Sequence, residues 1–255
     1  MKKLFILLFI VATCGVAGNS QNYQNFHFDV NGDGAVTAAD VTAVYDYLLG
    51  NVPIIDGHEY VDLGLPSGTL WATMNIGASS PEDYGDYYAW GETTIKTDYT
   101  WDNYAWCNGY WDKLTKYCFQ SQYGYNGFTD DLTELVPEDD AAYVNWGPNW
   151  RMPSKEQIQE LVENCTWEWT TSNGVNGRLF TSNFNGAQLF LPAAGYRWSN
   201  VLKDGGTKGY YWGRTINVGG YSHYGSSIYL SSSNVTEWGQ GRAYGYPIRP
   251  VRVSQ

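Results

Sequence analysis

The feature that most constrains this chain is a short acidic loop near its N-terminus, from Asp29 to Asp40. Oxygen-bearing side chains recur there at fixed spacing, and Gly34 supplies the residue that tolerates a sharp turn. This spacing wraps several oxygen ligands around one point, as the hard cation calcium requires. We therefore predict that calcium is bound by six residues, with Ala35 contributing its backbone carbonyl: Asp29, Asn31, Asp33, Ala35, Thr37 and Asp40.

Apolar residues recur at helical spacing directly after the loop, from Val41 to Leu49, and Gly50 ends the run. A calcium loop with one exit helix, closed by Asp rather than Glu, resembles one repeat of a dockerin over residues 26–50. The resemblance implies an EF-hand-like loop-helix and a cohesin-like scaffold as partner, because dockerins seat secreted proteins on cohesin-bearing scaffolds. A full dockerin has two repeats, and the sequence contains no second run of this kind. A calcium-stiffened spacer is therefore the alternative.

The first residues have the order of an export signal. Two lysines precede an apolar run over residues 4–12, and small and then polar residues follow. We expect a signal peptide over residues 1–18 and hence an exported protein. Two forms of processing are open: cleavage near Gly18 would give a secreted protein, and cleavage before Cys14 would give an outer-membrane or cell-surface lipoprotein. No later stretch is apolar for long enough to form a transmembrane helix.

Charge and composition exclude some classes of protein. The formal net charge is −11, whereas binders of nucleic acids or of anionic membranes need clustered lysine and arginine, so we expect neither partner. Aromatic residues make up 17% of the chain, which provides enough apolar area for a sizeable core. Many Gly, Ser, Thr and Tyr residues favour strands and loops over a helical bundle.

Cysteine spacing gives a weaker constraint. Apart from Cys14, the chain has Cys107, Cys118 and Cys165, an odd number that permits at most one disulfide among them. Cys107 and Cys118 are near enough in sequence to staple a loop, but spacing does not assign the pairing. No Cys/His spacing typical of zinc sites occurs.

Residues 58–253 are predicted to form one further domain. Its first elements are expected to be a strand at Glu59–Leu63, a turn at Pro66–Gly68 and a second strand at Thr69–Ala72. Proline and acids from Pro137 to Asp140 predict the first turn of a helix. Ser154 and Gln157 have the spacing of a capping box, which predicts the start of a second helix.

Several aromatic- and proline-containing runs follow in order along this domain. They are Leu65–Ala72, Tyr88–Glu92, Asn145–Ser154, Phe190–Arg197, Tyr211–Gly213 and Ile248–Arg252. Together they resemble the Fibrobacter succinogenes major paralogous domain, a family of exported bacterial proteins related to C-type-lectin-like folds. The resemblance implies an α+β, C-type-lectin-like domain with a small central sheet, two helices and long aromatic-rich loops.

The sequence carries no recognisable catalytic motif. G-x-S-x-G, P-loop and H-E-x-x-H patterns are all absent. A glycosidase-like carboxylate pair remains open, drawn from Glu92, Asp131, Glu134, Glu138 and Glu160. Acids at helix starts and on solvated faces are the ordinary explanation for such residues. We predict no catalytic residue.

The last third of the domain is rich in aromatic residues interleaved with Gly, Ser and Asn, most of all from Val218 to Gly245. Tyr and Trp give a large contact area at low entropic cost, and the small polar residues give adaptable hydrogen bonds. We predict a loop surface there that binds a ligand through Tyr221, Tyr224, Trp238 and Tyr244. The alternative is that these rings belong to the core.

These features predict a non-catalytic, exported binding module that recognises a glycan or a surface protein and carries a calcium-binding, dockerin-like segment. Two alternatives stay open. One is a component of polysaccharide degradation, either a carbohydrate-active enzyme or a scaffold-docked accessory protein. The other is a structural protein of a surface assembly.

Overall fold

A computed structural model describes residues 53–216 and 220–253. The chain divides into two compact units, Met1–Pro53 with Gln255 and Ile54–Ser254. The predicted signal peptide over residues 1–18 lies outside the described residues. So do the predicted loop-helix over residues 26–50 and all of its proposed calcium ligands, Asp29, Asn31, Asp33, Ala35, Thr37 and Asp40.

The described part of the second unit is built mainly from short antiparallel strands in four sheets. The first sheet, in the order β1-β2-β3-β12, consists of β1 (Ile54–Ile55), β2 (His58–Asp62), β3 (Thr69–Ala72) and β12 (Val251–Val253). The second consists of β4 (Cys165–Ser172), β5 (Val175–Ser182) and β6 (Gln188–Pro192). A two-stranded sheet pairs β7 (Tyr196–Trp198) with β8 (Val201–Lys203). The remaining sheet, in the order β11-β10-β9, consists of β9 (Lys208–Ile216), β10 (Tyr224–Ser231) and β11 (Val235–Gly241).

Helical structure in the described residues is short. The α-helices are α1 (Ala141–Trp146) and α2 (Lys155–Asn164), and the 3-10 turns are Trp101–Asn103, Ser121–Tyr123, Tyr125–Gly127 and Pro137–Asp139. The predicted capping box is confirmed. The Ser154 hydroxyl accepts from the Gln157 backbone N–H at 3.2 Å, and the Gln157 side chain accepts from the Ser154 N–H at 2.9 Å.

The predicted helix start at Pro137 is wrong by several residues. Pro137–Asp139 forms a 3-10 turn, and the α-helix begins only at Ala141. Asp140 is the N-cap, and its carboxylate accepts from the backbone N–H groups of Ala142 and Tyr143. The last residue of the acidic run therefore caps the helix, and none of the run lies inside its first turn.

The predicted α+β fold class is wrong. α1 has 6 residues and α2 has 10, whereas strands in four separate small antiparallel sheets provide most of the regular structure that is described. No C-type-lectin-like arrangement around one central sheet and two helices is present in the described ranges. The residue types account for this, because Tyr, Trp, Thr and Val fit a pleated, half-buried surface better than a helix.

The predicted loops between Val218 and Gly245 are also largely strands. β10 and β11 form a hairpin in which Ser227 lies opposite Trp238. Gly225 is buried within β10, and a side-chain carbon there would lie 2.5 Å from Cδ1 of Trp90. That glycine allows close packing against an indole and does not loosen the backbone.

In the described part of the chain, three clusters of buried residues form the core, and aromatic rings dominate two of them. In one, Trp212 of β9 stacks on Tyr246 with ring centroids 4.1 Å apart. Another contains Tyr99, Tyr104, Leu114 and Cys118, and supports the loops that follow β3. Because these loops have little regular structure of their own, buried side chains must hold them in place.

Cys107, Cys118 and Cys165 are free thiols in the structure. Burial raises the pKa of the Cys165 thiol to about 11, which keeps that sulfur protonated and unreactive at neutral pH. Within the described ranges, none of the helices has the length and apolar character needed to cross a membrane.

Candidate functional site

An aromatic surface forms where the loops after β3 meet the chain just before β10. Its centre is the imidazole of His223, around which rings from two distant segments gather. We call this group the His223 cluster, and its members are Trp101, Trp111, Tyr123, Tyr221, His223 and Tyr224.

The imidazole makes close ring contacts on several sides. Its centroid lies 4.5 Å from that of Tyr224 and 4.9 Å from that of Trp111. Tyr123 is 5.0 Å away, and Tyr221 stacks on the imidazole at 5.5 Å with an interplanar angle of 19°. The Tyr221 ring is 52% exposed, so this stack has an open outer face.

A polar clasp holds the two segments of the cluster together. The backbone N–H of Gln120 donates to the hydroxyl of buried Ser222 at 3.1 Å, and the Ser222 N–H donates to the Gln120 side-chain oxygen at 3.1 Å. On the other side, the backbone N–H of Arg242 donates to the carbonyl of His223 at 3.1 Å. These bonds fix the Tyr221–Tyr224 turn against the loop that carries Trp111.

A buried cation lies beneath the cluster. Arg242 is fully buried, its guanidinium is 4.5 Å from the ring centroid of Trp90, and its Nη2 donates to the Tyr117 carbonyl at 2.8 Å. Burial, together with this positive charge, lowers the pKa of His223 to about 4, although the Asp112 carboxylate acts in the opposite direction. The imidazole is therefore neutral at neutral pH.

Three buried polar atoms in and beneath the cluster lack a hydrogen-bond partner within the part of the chain that the structure describes. They are Nδ1 of His223, Oδ1 of Asp112 and Nε of Arg242. Asp112 immediately follows Trp111, whose ring contacts the imidazole. Buried polar groups are nearly always paired in folded proteins, so unpaired atoms gathered at one ring cluster point to a place where a ligand could supply the missing partners.

The structure divides the four predicted ligand-binding residues among three places. Tyr221 and Tyr224 lie together in the His223 cluster, with ring centroids 5.6 Å apart. Tyr244 is half-buried, packs edge-on against Trp198 at 4.7 Å, and is close enough to Tyr224 for the two phenols to interact electrostatically. Trp238 is 54% exposed on β11, and among the described rings it has no aromatic contact. Among the described rings, Tyr221 and Tyr224 are thus the two of the four that contact each other.

Sequence reasoning missed the residues that complete the cluster. His223 could have been noticed, because it lies between Tyr221 and Tyr224 in the chain. Trp111 and Tyr123 carry no local signal, since they lie about a hundred positions earlier in a region without periodicity.

Three of the five acidic residues considered for catalysis have separate structural partners, and the other two, Asp131 and Glu138, are exposed. Glu92 pairs with Lys96 at 2.9 Å, and Glu134 pairs with Arg214 at 3.0 Å. Glu160 accepts from the Ser67 backbone N–H at 2.8 Å. Among the residues described, no three His, Cys, Asp or Glu side chains are grouped in a way that could hold a metal ion.

A shallow acidic cleft of about 450 Å³ lies elsewhere. Its lining residues are Gly77, Glu82, Asp83, Tyr84, Gly85, Asp86 and Val175. Two of its carboxylates have local partners, because Glu82 accepts from the Ser172 hydroxyl at 2.6 Å and Asp83 accepts from the Ser79 backbone N–H at 3.0 Å.

Comparison with known proteins concerns the N-terminal part of the chain. Residues 7–63 match the family model described as the dockerin type I domain. The predicted dockerin resemblance is thus confirmed, over a wider range than residues 26–50 and extending into β1 and β2. The match agrees with calcium binding, a cohesin-bearing partner and an extracellular setting, but it gives no support to the Fibrobacter resemblance. No curated protein and no solved structure matches the chain.

Proposed function

We propose that this protein is a non-catalytic accessory component of an extracellular assembly. Its N-terminal segment docks on a cohesin-bearing scaffold in the presence of calcium, and its β-rich domain presents an aromatic surface to a glycan. The observation that carries this proposal is the dockerin type I match over residues 7–63.

The chemistry of the N-terminal loop supports calcium as the cation. Asp29, Asp33 and Asp40 supply anionic oxygens, Asn31 and Thr37 supply neutral ones, and Ala35 can add a backbone carbonyl. A set of oxygen donors without sulfur or imidazole suits calcium better than zinc or copper. Calcium bound there would fix the loop.

The exposed aromatic face supports a binding role for the β-rich domain. Tyr221 offers an open ring face, and neighbouring rings of the His223 cluster hold its position. Flat aromatic faces stack against the apolar faces of sugar rings, and nearby polar atoms can bind hydroxyl groups. A glycan is therefore favoured over a protein surface, which would need a larger exposed apolar area.

Docking is tested with the full chain and a recombinant type I cohesin, by calorimetric titration in millimolar calcium or in EDTA. We expect a complex only in calcium. Asp29→Ala and Asp33→Ala each remove one anionic ligand and should weaken calcium binding about tenfold or more. Asp131→Ala removes an exposed carboxylate of the β-rich domain and serves as the matched control.

Two other results would change the assignment. Calcium binding without any complex across a panel of cohesins would contradict docking and favour the calcium-stiffened spacer. Release of reducing sugar from a polysaccharide by the purified chain would contradict the non-catalytic role and favour the enzyme alternative.

A further inference from the structure

We propose that the His223 cluster, extended by Tyr110, is a binding site for an extended neutral glycan. Tyr221 and Tyr110 are the exposed stacking platforms at its two ends, and Asp112 and His223 bind the sugar hydroxyls. This inference rests on the proposed function only in taking a glycan as the ligand, and it is independent of scaffold docking.

The rings form a continuous row. Tyr110 contacts Trp111 with centroids 5.8 Å apart, Trp111 contacts His223 at 4.9 Å, and His223 contacts Tyr221 at 5.5 Å. Tyr110 and Tyr221 are each 52% exposed, whereas Trp111 and His223 between them are partly buried. A ligand that covers both exposed rings must lie along the row, so an oligosaccharide fits better than a single sugar.

The charge distribution favours a neutral ligand. The chain has a net charge of −11, and the Asp112 carboxylate lies beside the row. Anionic ligands are usually held by arginine or lysine side chains. Arg242 beneath the cluster is directed inward, where it donates to the carbonyls of Lys116 and Tyr117, and Lys116 itself pairs with Asp139 at 2.6 Å.

The unpaired polar atoms supply hydrogen-bonding partners for hydroxyl groups. A neutral imidazole has one nitrogen that accepts and one that donates, and a carboxylate oxygen accepts. Nδ1 of His223 and Oδ1 of Asp112 have no partner in the described parts of the chain. Both atoms are buried among the rings of the cluster, so a ligand hydroxyl reaches them only where these rings move apart on binding.

The site is tested by affinity electrophoresis of the full chain in gels that contain xylan, mannan, mixed-linkage β-glucan or polygalacturonate. Neutral oligosaccharides of increasing length then serve as competitors. We expect at least one neutral polysaccharide to retard the protein in the gel, and polygalacturonate not to retard it. The oligosaccharides should compete more strongly as they become longer, until they are long enough to cover the row of rings.

Variants at the two ends of the row test the stacking platforms. Tyr221→Ala and Tyr110→Ala should each weaken binding about tenfold, because each removes an exposed ring that a bound sugar would cover. Tyr125→Ala truncates an exposed tyrosine outside the row, and Trp238→Ala truncates the exposed indole on β11. Both controls should bind as the original protein does.

Variants of His223 and Asp112 distinguish the loss of hydrogen bonds to the ligand from a loss of packing within the cluster. His223→Phe keeps a ring in the stack and removes both nitrogens, and Asp112→Asn keeps the shape and removes the charge. Each should weaken binding about tenfold with an unchanged melting temperature. If His223→Phe fails to fold, His223→Gln replaces it in the same measurement.

The outcomes distinguish this site from the broader function. Binding that survives the row variants but is lost in Trp238→Ala overturns the site and leaves a glycan-binding function standing. Failure to bind any of the neutral polysaccharides, or preferential binding of polygalacturonate, overturns the inference. Docking is measured separately, with cohesin and calcium. A calcium-dependent complex with cohesin would therefore support docking whatever the glycan experiments show.

Discussion

At the scale of single residues, the surroundings of His223 differ strongly from those of an exposed histidine. Aromatic rings surround it, and the buried guanidinium of Arg242 is close enough to act on its charge. Both effects disfavour the protonated imidazole, since burial removes hydration and a nearby positive charge repels another. The nearby Asp112 carboxylate only partly offsets them.

This environment predicts a pH dependence of stability with a definite sign. The pKa of His223 is about 4 in the folded protein and near 6.5 in the unfolded chain, so only the unfolded state takes up a proton between these values. The stability contributed by neutral His223 is therefore present above pH 6.5 and is lost as pH falls towards 4. We expect the melting temperature to drop less between pH 7 and pH 4 in His223→Phe than in the original protein. Equal drops in both would contradict the assignment.

At the scale of elements, the sequence predicted those strands and helix starts that depend on contacts between residues close together in the chain. The strand Thr69–Ala72 and the capping box at Ser154 were both predicted, because a turn and a cap depend on residues within a few positions. Hairpin β10–β11 was missed, since its Gly- and Ser-rich sequence suggests a loop. Its pairing with β9 and the packing of Gly225 on Trp90 depend on distant residues.

The difference between local and long-range contacts also explains which residues of the His223 cluster could be predicted. Tyr221 and Tyr224 were predicted because they stand in one short aromatic segment. Their neighbours Trp111 and Tyr123 come from a loop whose position is set by contacts such as the Gln120–Ser222 clasp. No periodicity or spacing in a single sequence records such a long-range contact.

The α2 cap gives a measurable prediction at this scale. Ser154 is buried, and its hydroxyl satisfies the Gln157 backbone N–H at the start of the helix. Ser154→Ala should lower the free energy of unfolding by about 1 kcal/mol, because that N–H loses its partner. Ser154→Thr retains the oxygen and should cost less, and Ser232→Ala changes an exposed serine as a control. Urea unfolding monitored by tryptophan fluorescence gives the comparison. A loss in Ser154→Ala no larger than in Ser232→Ala would show that the cap contributes little.

At the scale of the whole molecule, the chain combines two units with different chemistry. The first unit ends at Pro53 and contains the acidic loop, whereas the second has an aromatic core of its own. The dockerin type I match runs to residue 63 and so passes this boundary into β1 and β2. The start of the β-rich domain therefore lies within the segment that resembles a docking module.

Because the acidic loop belongs to one unit and the described core to the other, we expect calcium to stabilise one unit selectively. A cation that binds only the folded loop raises the stability of the unit containing it, by roughly 3 kcal/mol when free calcium exceeds its dissociation constant a hundredfold. The β-rich unit, whose buried rings lie in clusters of its own residues, should unfold at the same temperature with or without calcium. Differential scanning calorimetry of the full chain in calcium and in EDTA should show one transition that moves and one that does not. Asp29→Ala should abolish the movement, and Asp131→Ala should preserve it. A calcium-dependent shift of the β-rich transition that persists in Asp29→Ala would instead place a calcium site within that unit.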